Sequence, residues 1–164
     1  MTETACPGCG WIGPEEDGPV HPYMTASPAC WRRFNAIMAR EYENPGLMPT
    51  HFYSVDAYAA QHPGDPEEGR ARQSVWIHLA GLHAVLREGR DPAYRYALLR
   101  RLADAADSWP VPPAHASFPI VAGTIPPDLP ETAHGQTMRD WAEATLAAYE
   151  VANADLAKLM QGLG

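Results

Sequence analysis

Cys6, Cys9 and Cys30 are the only cysteines in the chain, and all three fall within its first thirty residues. A structural zinc takes four tetrahedral ligands, usually from Cys and His, and a two-residue spacer lets one tight turn supply a pair of them. Cys6-Pro-Gly-Cys9 has that spacing, and Gly8 and Gly10 leave the backbone free to aim its N–H groups at the sulfurs. Cys30 falls in the first turn of a predicted helix, where the dipole favours a thiolate. His21, in DGPVHPYM, completes a Cys3His set spaced C-x2-C-x11-H-x8-C, with Asp17 or water as substitutes for the fourth ligand. A zinc ion bound this way contributes on the order of 10 kcal/mol to the folding of a small module.

Other chemistry fits these cysteines less well. A redox Cys-x-x-Cys sits where a strand runs into a helix, and no strand pattern precedes Cys6. An iron–sulfur cluster usually takes four thiolates, and there are three. Burial as small hydrophobes accounts for Cys30 but not for the tight turn.

A second set of reactive side chains lies further along. His51, Val55, Tyr58 and His62 fall within an arc of about 60° on a helix, with Asp56 on a different face. His78 sits inside the apolar stripe of the next helix. If the two helices pack antiparallel, His62 and His78 approach each other. His51, Asp56, His62 and His78 would then offer a second metal site or an acid–base centre. The competing reading makes these histidines core residues whose ring nitrogens are satisfied by neighbours. Phosphate loops, nucleophile elbows, His-Glu-x-x-His and paired Glu-x-x-His motifs are absent from the sequence.

The elements that must position these residues are helices. Ser27-Pro28 caps and opens the first, which carries Trp31, Phe34, Ile37, Met38 and Tyr42 at helical spacing up to Asn44-Pro45-Gly46. A second runs from about Thr50 to Pro63-Gly64. A third covers about Glu67 to Glu88, with Val75, His78, Leu79, Leu82, Val85 and Leu86 as its stripe. Asp91-Pro92 opens a fourth, with Tyr94, Leu98, Leu102, Ala105 and Trp109 on one face. Residues 110–133 are proline-rich and read as an ordered strap, since Phe118, Ile120, Val121, Ile125 and Leu129 are available for burial; a disordered linker is the alternative. A last helix over about 136–161 carries Met138, Trp141, Thr145, Tyr149, Ala152, Leu156 and Leu159. Residues 1–26 show no periodicity and read as a loop-built Cys/His module.

The expected fold is therefore all-α, a bundle of about five helices behind an N-terminal zinc-knuckle-like module, in a single domain over residues 1–164. The 164 residues, 46% of them apolar, can bury a core without staples. A net charge of −8 argues against nucleic acid or an anionic membrane as partner. With no apolar run long enough to span a bilayer and no signal-like start, the expected compartment is the cytoplasm, where Cys-x-x-Cys is more often metal-binding than a disulfide.

The run CPGCG, DGPVHPYM, SPACW, VDAYAAQHPG and QSVWIHLAGL resembles an uncharacterised bacterial family known only as a domain of unknown function. The resemblance covers residues 6 to about 104, and more loosely the tail through the Trp141 helix. His21, Cys30, Asp56, His62 and His78 map onto its motifs, and segment 111–133 is more proline-rich than its pattern. The resemblance implies no activity or substrate. The functional expectation is thus a zinc-binding protein with a small-molecule or second metal site at the histidine face. The rival is a non-catalytic interaction or regulatory protein whose zinc is purely structural.

Overall fold

The computed structural model describes residues 2–105 and 109–163. Among them are six α-helices, two short 3-10 turns and one two-stranded sheet. The strands β1 (Glu3–Ala5) and β2 (Ile12–Pro14) pair antiparallel with Thr4 opposite Gly13, and the Cys6–Cys9 turn joins them. They are three residues each and mostly exposed, so no apolar alternation marked them in the sequence.

Helix α1 (Pro28–Glu43) starts as its residues dictate: the Ser27 side chain accepts from the Cys30 N–H, and Pro28 occupies the first turn. A 3-10 turn (Pro45–Thr50) leads straight into α2 (His51–Gln61). Then follow α3 (Gly69–Leu86), α4 (Pro92–Asp104), α5 (Glu131–Ala152) and α6 (Leu156–Leu163). Asp91 caps α4 by accepting from the Tyr94 N–H. The predicted extension of the fourth helix to Trp109 runs partly through residues 106–108, outside the described residues; the helix itself ends at Asp104. The expected last helix is two. It breaks at Asn153, which caps α5 and whose side chain donates to the Ala114 carbonyl and, at 2.8 Å, to that of Tyr149.

Helix α2 is the axis of the molecule, buried on nearly every side and packed on α1, α3 and α5. An apolar, alanine-rich helix of this kind is stable only when surrounded. Tyr58, Leu79, Leu82, Met138, Trp141, Leu146 and Tyr149 form the fully buried centre around it. Residues 109–130 lie against the bundle as a strap rather than a disordered linker. Val121, Ala122 and Ile125 are buried, and the Ala116 N–H donates to the Ala148 carbonyl at 2.9 Å. Among the described residues, no helix is long and apolar enough to cross a membrane.

Candidate metal centre

The β-hairpin turn delivers Cys6 and Cys9, the first turn of α1 delivers Cys30, and the residue just past the end of α2 delivers His62. One ligand atom from each lies within 4.8 Å of all the others, and all four residues are buried. The Sγ atoms of Cys9 and Cys30 are 3.7 Å apart, and Cys30 Sγ is 3.3 Å from His62 Nε2. A disulfide needs about 2.05 Å between sulfurs, so the cysteines are free thiols. A tetrahedron with metal–sulfur bonds of about 2.3 Å and a metal–nitrogen bond of about 2.0–2.1 Å has edges of roughly 3.8 Å (S···S) and 3.5 Å (S···N). The observed spacings are those of a cage that could hold a metal ion.

Local structure explains why the cage closes. The His62 Nδ1–H donates to the Tyr58 carbonyl at 2.7 Å, which leaves Nε2 as the lone-pair nitrogen facing the sulfurs. Tyr58 stacks on the His62 ring at 3.8 Å and is itself stacked on Phe34 at 3.8 Å, so the imidazole plane is fixed. The Ser27 N–H donates to Cys6 Sγ at 3.4 Å. Tyr58 Oη donates toward Cys30 Sγ at 3.8 Å, and burial, followed by the nearby Cys30, pushes its phenol pKa up so that it stays a donor. The thiols themselves are strongly linked. Hydrogen bonding from Cys30 and then Cys9 pulls Cys6 well below the usual thiol range, while pairing with Cys6 and then Cys9 pushes Cys30 far above it.

His21 is not the fourth member. It lies half-buried outside the group, its Nδ1 accepting from the Tyr23 N–H at 3.3 Å, its ring edge-on to Tyr23 and Trp31. Burial pushes its pKa down. The correction is one of chain reach: His62 is 32 residues from Cys30 in sequence, and only the packing of α2 on α1 brings them together. A strand does precede Cys6, but it runs into the turn and a second strand, not into the helix a redox dithiol uses.

The second constellation does not assemble. His51, Asp56, His62 and His78 go to three separate places because α2 is enclosed and each of its faces meets a different neighbour. His51 Nδ1 pairs with Glu41 Oε2 of α1 at 2.7 Å, and Glu41 also accepts from Ser54 Oγ and, at 2.8 Å, from His134 Nε2 of α5. Asp56 accepts from His78 Nδ1 at 2.6 Å and is clasped by the Arg95 guanidinium of α4, with Nε at 2.8 Å from Oδ2. His62 belongs to the sulfur group, so it does not approach His78.

Glu41, Arg95 and His134 were not singled out by sequence, though two carried a signal. Glu41 continues the α1 stripe seven residues after Phe34, and Arg95 precedes Leu98 and Leu102 by three and seven. A charge on an apolar stripe marks a buried ion pair. Tyr42, placed on that stripe from sequence, is 67% exposed, while Glu41 is fully buried.

No curated protein and no solved structure matches this chain. The sequence pattern that defines a family of unknown function, DUF5946, matches residues 4–150, so the buried Cys3His group and the helices that carry it all lie within the matched span. The chain belongs to the DUF5946 family of unknown function.

Proposed function

We propose that Cys6, Cys9, Cys30 and His62 bind one zinc ion, and that this zinc is structural: it fastens the N-terminal hairpin to the helical bundle. The observation that carries the reading is the set of four buried ligand atoms within 4.8 Å of one another. Three thiolates and one imidazole are soft and borderline donors, a set that suits zinc and excludes magnesium or calcium. Cys6, Cys9, Cys30 and His62 are 2%, 9%, 0% and 1% exposed, which leaves no open face for a water or substrate. A catalytic zinc keeps such a face and a structural one does not.

On this reading the protein is a zinc-stapled helical protein, and the metal centre performs no chemistry of its own. The His51–Glu41–His134 and His78–Asp56–Arg95 clusters tie α2 to its neighbours as packed polar contacts. Metal analysis of the purified chain tests the assignment. One zinc per chain is expected, retained in His21→Ala and lost in Cys9→Ala and His62→Ala. Loss in His21→Ala with retention in His62→Ala overturns the ligand set, and protein purified without chelator that carries no zinc overturns the centre altogether.

A further inference from the structure

Arg33 and Arg40 lie two turns apart on one face of α1 and reach across to the strap. Arg33 Nη2 donates to the Ile125 carbonyl at 2.5 Å, and Arg40 Nη2 donates to that of Leu129. Beneath them α1, α5 and the strap line a partly open cavity of about 60 Å³. His134 lines it and is 1% exposed. Its Nε2 meets Glu41, while its buried Nδ1 has no partner among the described residues.

The charge of this lining runs against that of the chain. A sequence with 20 acidic and 12 basic residues places two guanidiniums, one imidazole and no carboxylate here. Each guanidinium carries five donors. The strap carbonyls take one from each, and among the described residues neither group meets a carboxylate. The rest of the wall is apolar, with Ile37, Leu129 and Met138 among its side chains.

We propose that this cavity binds a small aliphatic monocarboxylate. The carboxylate lies between the Arg33 and Arg40 guanidiniums, and the short tail lies against Ile37, Leu129 and Met138. Size sets the class: one water needs roughly 10–15 Å³ of such volume, so the cavity takes about four to six non-hydrogen atoms, as in acetate or propionate. Guanidinium forks match the planar, two-oxygen geometry of a carboxylate. A half-apolar wall disfavours inorganic phosphate, whose oxygens would all need partners. None of these residues belongs to the Cys3His group, so the proposal stands or falls apart from the zinc reading.

The test is a titration of the full chain with acetate and with propionate at constant ionic strength, reading the methyl resonances of Ile37, Ile125 and Met138 by NMR. A ligand this small has an upper limit on affinity, so a Kd on the order of 0.1–10 mM is expected, with saturable shifts at those methyls. Arg40→Gln should weaken binding about tenfold or more. Because that arginine also holds the strap, a second variant carries the test independently: Ala36→Phe obstructs the cavity from an exposed position without removing either guanidinium and should abolish the shifts. Inorganic phosphate should give no saturable shift. The proposal is overturned if both carboxylates leave these methyls unmoved to about 50 mM, if Ala36→Phe binds as the wild type does, or if phosphate saturates the site instead.

Discussion

Gly8 shows how tightly the Cys3His cage depends on single atoms. A Cβ on Gly8 would stand 2.3 Å from the Thr25 carbonyl oxygen and 2.5 Å from His62 Cδ2, so only glycine lets the Cys6–Cys9 turn close onto the imidazole. Gly8→Ala should therefore displace His62 or the turn and lower zinc affinity by about 10-fold or more, comparable to the loss of an outer-shell partner; competition with a chromophoric chelator measures it. The neighbouring Gly10 has φ of 79°, in the left-handed region that closes this turn. The turn was legible in the sequence because two cysteines two apart, flanked by glycines, form a local pattern. The place of His62 in the cage was not, because nothing in its own neighbourhood distinguishes it from His51 or His78. What selects it is the end of α2 arriving beside the first turn of α1. His21 was nearer in sequence and of the right type, and sequence proximity was the wrong guide.

At the level of elements, α2 carries the lesson. Its histidines share a helical face by angle, but a helix buried all round has no single face, and each polar group is satisfied by whichever neighbour it meets. Asp56 is fully buried and Arg95 is 4% exposed, so truncating one partner leaves the other charge unpaired in the core. Asp56→Leu should cost about 3–5 kcal/mol, and Asp56→Leu with Arg95→Leu should recover a large part of it, because the buried pair itself contributes little net stability. Urea unfolding of both variants measures the difference. Helix α3 supplies a pH-dependent element. His83 is 4% exposed, and burial holds its pKa below the ordinary 6.5, with Glu88 at 3.5 Å opposing the shift only in part. The unfolded chain therefore binds this proton more readily than the folded one. The contribution of His83 is complete above about pH 6.5 and is lost as pH falls from there through its depressed folded value. Against a His83→Leu variant, the wild type should lose more stability between about pH 7.5 and pH 5.5; equal losses would contradict the shift. The helix starts at Pro28 and Pro92 were readable because capping and proline chemistry is local, whereas the break at Asn153 depends on contacts with the strap and was not.

For the whole molecule, the helical architecture followed from periodicity together with capping and proline signals, and the strap from the apolar residues spaced among its prolines. The division of labour between the two parts did not. The large buried side chains lie in the helices, while the hairpin contributes little beyond Cys6, Cys9 and Trp11 to the core. Removing the metal should thus free the N-terminal segment and leave the bundle largely helical. Hydrogen exchange in residues 2–15 should rise sharply on treatment with a zinc chelator, with protection in α2, α3 and α5 changed far less. Global loss of helical signal on chelation would mean that the centre nucleates the bundle as well as fastening the hairpin.

The most direct measurement of the central claim is X-ray absorption at the zinc edge of the purified protein. A four-coordinate shell of three sulfurs at about 2.3 Å and one imidazole nitrogen at about 2.0–2.1 Å is expected, with the imidazole signal lost in His62→Ala and unchanged in His21→Ala. A shell containing water oxygen, fewer than three sulfurs, or an imidazole that survives His62→Ala would contradict it.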